Sequence, residues 1–130
     1  MNIAVDYDET WTADPETFAK IVTLFQQQGH SVAIVTLRDQ TTRSCVEIRG
    51  SLMKHLPRMH GEVPIIFSNG HWKTEATKAA EFPVDVWIDD SPQLIGPPFT
   101  LRDMRAYWEE HDFDPRKGFG GYGKGKKEEA

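Results

Sequence analysis

Four short apolar segments, each stopped abruptly by polar residues, constrain this chain more than any other feature. Residues 3–5 (IAV) run into Asp6-Tyr7-Asp8-Glu9-Thr10, and "SVAIVT" at 31–36 ends in Thr36 and runs into Leu37-Arg38-Asp39. "VPIIF" at 63–67 meets Ser68-Asn69-Gly70, and "VDVWI" at 84–88 meets Asp89-Asp90-Ser91 before Pro92. Their β-branched content and sudden polar ends suit strands buried on both faces. Between them lie helical patterns. Asp14-Pro15 reads as an N-cap and first helical residue, Phe18, Ile21, Val22 and Phe25 mark one face, and Gly29 closes a helix over 15–28. Val46, Ile48, Leu52 and Met53 permit a second helix over 42–55, which Gly50 weakens and Pro57 ends. A short third helix is expected over 74–81, and a last one over 101–111 after the Pro97-Pro98 loop. Strand and helix alternating in this way predict an α/β fold: a mainly parallel central sheet with helices on both faces, three layers in all.

The chain of 130 residues is expected to form one domain over 1–114, followed by a flexible tail at 115–130. The tail, "DPRKGFGGYGKGKKEEA" from Asp114, is rich in Gly and Lys and has little to bury. Its basic and aromatic mixture offers a weak nucleic-acid contact, with the plain flexible tail the favoured reading. The net charge of −5 is uneven, because residues 1–114 hold 10 Lys and Arg against 18 Asp and Glu. That body is not a basic nucleic-acid platform. The lone Cys45 excludes an intramolecular disulfide and a cysteine-rich zinc site. With no basic-apolar leader and no apolar run near the roughly 18 residues of a membrane span, the expectation is a soluble, cytoplasmic protein. There is no internal repeat.

An open parallel sheet binds its ligand at the carboxyl ends of its strands. Those ends bring together Asp6, Asp8, Thr36, Arg38, Asp89 and Asp90, with Lys73 just beyond the third strand. Four carboxylates in a small volume cannot all stay ionised without compensation. A hard divalent cation resolves the conflict, and an incomplete carboxylate shell suits Mg²⁺, which also bridges to phosphate oxygens. Asp6 is then placed to attack phosphorus as a nucleophile, and Asp8 to give and take protons. Thr36 offers a hydroxyl to phosphoryl oxygens, and Lys73, near a helix start, adds positive charge.

In combination, "VDYDET" (DxDxT), "IVT" at the end of the second strand, "GHWK" and "WIDDSP" resemble the four ordered motifs of the haloacid dehalogenase (HAD) superfamily of phosphohydrolases. The resemblance spans residues 1–95 or so. It implies a Rossmann-like HAD fold and Mg²⁺-dependent phosphatase chemistry through an aspartyl-phosphate. On that pattern Asp6 is nucleophile and metal ligand, and Asp8 is acid/base and binds metal through its backbone carbonyl. Thr36 binds phosphate, Lys73 is the third-motif lysine with Lys78 as a substitute, Asp90 is a metal ligand, and Asp89 orients or charges the same shell. Glu9 replaces the usual glycine after the second aspartate. The family often inserts a cap domain, but here residues 8–14 and 36–73 leave no room for a sizeable one. A capless site is open, which favours a large phosphorylated substrate such as a protein or a nucleic-acid end.

Arg38 divides evenly between a substrate or phosphate contact and a surface ion pair. Trp11 and Trp72 flank the first and third motifs and offer rings for stacking, with ordinary packing the favoured reading; Trp87 is expected in the core. The five histidines and Cys45 read as structural. Two other functions compete with the phosphatase. A receiver-type signalling module also gathers acidic residues, Thr and Lys around Mg²⁺, but in another order. A catalytically silent HAD-like binding or scaffold protein is the alternative that Glu9 and the missing cap keep open.

Overall fold

The computed structural model describes residues 1–97, 101–110 and 112. Contacts divide the chain between Pro97 and Pro98, so Met1–Pro97 is described as one unit and the helix beyond it by itself. In the first unit the strands are β1 (Asn2–Asp6), β2 (Ser31–Thr36), β3 (Ile65–Phe67) and β4 (Val86–Ile88). The helices are α1 (Pro15–Gln27), α2 (Thr42–His55) and α3 (Lys73–Ala79). α4 (Leu101–Glu110) stands in the second unit. The expected tail at 115–130 and the end of the last helix at His111 lie outside the described residues.

All strand pairs are parallel, in the order β3-β2-β1-β4. Two crossovers step the same way, from β1 through α1 to β2 and from β2 through α2 to β3. The third passes back across the sheet to β4. A right-handed crossover that reverses direction must put its helix on the opposite face, and the core residues divide accordingly. Ile3, Val5, Val32 and Ile34 pack with Ala19 and Val22 of α1 and Ile48 and Leu52 of α2. Ala4, Ala33, Val35 and Ile66 face the other way, against Ala76, Phe82, Val84 and Trp87. Successive strand residues point to opposite faces, which is why a run such as "VAIV" is apolar throughout. Trp87 packs against this second cluster but is only half-buried.

The ends of the helices follow from short-range chemistry. Asp14 accepts a hydrogen bond from the Thr17 amide at 3.1 Å, and Pro15 follows it with no amide to lose. Thr41 does the same for α2 through Ser44 at 3.1 Å. α1 ends where Gly29 takes φ +86° and His30 donates back to the Phe25 carbonyl at 2.9 Å. α3 closes in the same way, with the Phe82 amide donating to the Thr77 carbonyl and the Glu81 amide to the Lys78 carbonyl, but with Glu81 in the left-handed position at φ +57°. It therefore stops at Ala79, short of the expected 81, and begins one residue early, so that Lys73 is its first residue. Among the described residues no helix is long and apolar enough to cross a membrane.

The fold predicts a contrast between two aliphatic positions. Ile34, fully buried in β2, is expected to cost about 2 to 4 kcal/mol when cut to Ala. Val46→Ala, at a site 67% exposed on α2, is expected to stay within about 0.5 kcal/mol. Urea denaturation of the two variants measures both.

Candidate functional site

The register of the sheet assembles the site. β1 pairs with β4 up to Val5 and Ile88, so the next residues, Asp6 and Asp89, leave the sheet side by side. Asp6, Asp89 and Asp90 each present an oxygen, and these oxygens lie within 4.8 Å of one another. α3 delivers the balancing cation. Its first residue, Lys73, is 2% exposed and reaches Asp6 Oδ1 at 2.7 Å and Asp89 Oδ2 at 2.5 Å. Lys78 is exposed near the other end of the helix and makes no ion pair among the described residues. Three carboxylates against one ammonium still leave a formal double negative charge.

The hydroxyl of Thr10, four residues beyond Asp6, lies 3.2 Å from both Asp6 Oδ2 and Asp90 Oδ1 and accepts from the Asp90 amide at 3.2 Å. One hydroxyl hydrogen serves one carboxylate at a time, so Thr10 satisfies only part of the pair's demand. Thr10 returns to the cluster because the chain turns sharply after β1. Glu9 takes φ +67°, the left-handed conformation that glycine adopts freely, and its amide bonds to Thr12 Oγ1 at 3.0 Å. Glycine would hold this turn without strain; here the glutamate holds it.

Burial is the largest influence on Asp6 and lifts its pKa to about 6; Lys73 works against that rise, while Asp90 and Asp89 add to it. Ionising Asp6 in this setting costs free energy that a further cation would recover. The donors are hard carboxylate oxygens with a residual double negative charge, and they fit a divalent ion of the Mg²⁺ type. Asp6, Asp89 and Asp90 could hold it.

Asp8 is not in this cluster. Its side chain is half-exposed, and both its oxygens face Arg38: Nε to Oδ2 at 2.9 Å and Nη2 to Oδ1 at 2.8 Å. Arg38 also bonds Glu47 of α2 at 2.9 Å, and its guanidinium lies 5.2 Å from the centre of the Tyr7 ring. Hydrogen bonds to Asp8 and then Glu47 hold Arg38 firmly charged, and Arg38 in turn holds Glu47 below the usual carboxylate range. Burial pushes the Tyr7 phenol up. Thr36 is buried at the end of β2, where its hydroxyl accepts from the Arg38 amide at 3.3 Å. The Ser68 hydroxyl, just past the end of β3, is buried without a hydrogen-bond partner among the described residues.

Of the residues named from sequence, Asp6, Asp89, Asp90 and Lys73 share one cluster, and Asp8 and Arg38 form a neighbouring pair. Trp11 packs, as the favoured reading has it: it is fully buried, donates to Ser51 Oγ at 2.9 Å and meets His55 edge-on. Trp72 is half-buried just ahead of α3. Thr10 and Glu47 went unassigned from sequence. Thr10 was visible as the last letter of DxDxT, whereas Glu47 is one exposed helix charge among several and carries no local signal. A scan against protein-family models found no match to this chain, and neither did searches among curated proteins and solved structures.

Asp6 generates a pH prediction for the metal-free protein. Its folded pKa lies above the unfolded value of 3.8, so its contribution is fully present below about pH 4 and is lost as pH rises through about 6. The loss is about 3 kcal/mol. Asp6→Asn is expected to flatten that part of the stability profile, and Mg²⁺ to restore stability most strongly above pH 6. Urea melts between pH 4 and 8, with EDTA or with Mg²⁺, measure both effects.

Proposed function

We propose that the protein is a Mg²⁺-dependent phosphatase of the HAD type that hydrolyses a phosphomonoester through an aspartyl-phosphate on Asp6. The observation that carries the reading is the buried group of Asp6, Lys73 and Asp89, with exposed Asp90 beside it, at the carboxyl end of a parallel sheet. An ion pair kept only for stability has little reason to bury two carboxylates against one ammonium with a third carboxylate beside them, since each buried charge brings its own desolvation cost. The motif order of the HAD resemblance supports the same reading, as does the Rossmann-like parallel sheet on which the motifs fall.

In this proposal an Asp6 oxygen forms a bond to phosphorus as the ester oxygen departs with its bonding electrons, and Asp8 gives that oxygen a proton. Lys73 stabilises charge on the phosphoryl oxygens, and the Thr36 hydroxyl orients them. Asp6, Asp89 and Asp90, with the Asp8 carbonyl, would hold Mg²⁺, whose charge would neutralise the attacking carboxylate and the phosphoryl group. Water then releases phosphate and restores Asp6. Only turns and the α2-β3 segment separate the site-forming elements of Met1–Pro97, with no inserted cap, so the proposed substrate is a phosphate ester on a large carrier, either a protein or a nucleic-acid end. A cytoplasmic setting belongs to the same proposal, from the lone Cys45.

Hydrolysis of p-nitrophenyl phosphate with Mg²⁺ is the direct test. Asp6→Asn is expected to lower kcat by about 1,000-fold or more, Asp8→Asn by about 100-fold, and EDTA to abolish turnover. Beryllofluoride binding that needs both Asp6 and Mg²⁺ would report the phosphoryl site independently of turnover. No hydrolysis across a broad panel of phosphate esters would instead favour a silent HAD-like binding protein.

A further inference from the structure

The guanidinium of Arg38 is engaged on three sides. Nε donates to one oxygen of Asp8, Nη2 to the other and also to Glu47, and Nη1 lies 3.5 Å from Ser44 Oγ. The Tyr7 ring covers one face. The two-point edge with which arginine grips a phosphate is thus already committed to Asp8. Asp8 has no other hydrogen-bond partner among the described residues, and it sits in a turn where its side chain is 49% exposed. A carboxylate so placed would sample several rotamers without the guanidinium. Glu47 reaches in from α2, a separate element, and keeps the guanidinium from following Asp8 into solvent.

We propose that Arg38 is a positioning residue, braced by Glu47, which holds the Asp8 carboxylate where it accepts the proton of the water that hydrolyses phosphorylated Asp6. The inference rests on the phosphatase reading and deepens it. In the step concerned, the water oxygen forms a bond to phosphorus while the bond from phosphorus to the Asp6 oxygen breaks. That electron pair returns to the Asp6 carboxylate, a water proton passes to Asp8, and inorganic phosphate is released. Each Asp8 oxygen keeps a lone pair free beside its bond to Arg38. Exposed ion pairs contribute little to stability, so the effect belongs in the kinetics rather than in the melt.

p-Nitrophenyl phosphate isolates the step, because its leaving group departs without a proton and the first half of the reaction then needs no acid. In Arg38→Gln, kcat and KM are expected to fall together, by about 10- to 100-fold, while kcat/KM changes by less than about 3-fold. A stopped-flow burst of one p-nitrophenol per site should precede the slowed steady state. Arg38→Lys, which cannot grip both oxygens, should behave like Arg38→Gln. Glu47→Gln, at an exposed site that does not threaten folding, should show the same pattern at about 3- to 10-fold. A raised KM with kcat retained in Arg38→Gln would overturn the proposal in favour of a direct phosphate grip. So would a Glu47→Gln protein with the wild-type kcat and no added burst, even if Arg38→Gln failed to fold. Either result beside an active wild type and an inactive Asp6→Asn overturns this inference alone; a wild type that hydrolyses no phosphate ester overturns the phosphatase reading and this inference with it.

Discussion

The buried Lys73 ammonium, held between Asp6 and Asp89, is the interaction on which the site depends. Asp6 ends a central strand and Asp89 follows its neighbour, so the sheet's register forces the two carboxylates together. Like charges in a dry setting would push the strand ends apart or stay protonated. Lys73 removes part of that conflict because α3 crosses to the second face of the sheet and begins at that residue. The early start of α3 is therefore as important to the site as the motif that supplies the aspartates. The compensation is also incomplete: Asp6 remains hard to ionise, and the residual negative charge fits a divalent cation.

Two systems of charge stand next to each other and have opposite characters. The cluster of Asp6, Lys73 and Asp89 is closed off from water, so each of its interactions is strong and each missing partner is costly. The group of Asp8, Arg38 and Glu47 is half-exposed, where ion pairs are weak but direct side chains usefully. Thr10 lies on the inner side of this division, shared between Asp6 and Asp90, and the strained turn at Glu9 brings it there. A glutamate in that left-handed position is tolerated because the turn is closed by its own hydrogen bonds, Glu9 to Thr12 and Thr12 to the Tyr7 carbonyl.

Much of the architecture was legible along the chain because the signals are local. Asp14-Pro15 starts α1 and Gly29 ends it, for reasons that operate within a few residues. The β2 and α2 limits at 31–36 and 42–55 follow from apolar periodicity and flanking polar residues, and Gly50 did not break α2 because Ile48 and Leu52 on either side of it are fully buried. The stop of α3 was misread, since a Glu in the role usually taken by Gly leaves no compositional mark. For Trp11 the favoured reading of ordinary packing holds, but its partner was not legible. Whether an indole beside a DxDxT motif faces solvent or α2 depends on Ser51, forty residues away.

The sequence by itself determined the α/β alternation and the polar residues at the strand ends, because periodicity and capping are properties of neighbouring residues. From these alone, Asp6, Asp89 and Asp90 belong at one end of the sheet. The tertiary structure decided which lysine meets Asp6 and Asp89, since packing buries the start of α3 against those strand ends and leaves Lys78, near its other end, exposed. It also decided that Arg38 faces Asp8 and that Glu47 faces Arg38. Those contacts join a turn, a strand end and a helix, and partners on separate elements meet only when the packing of the whole sheet sets the distances between them.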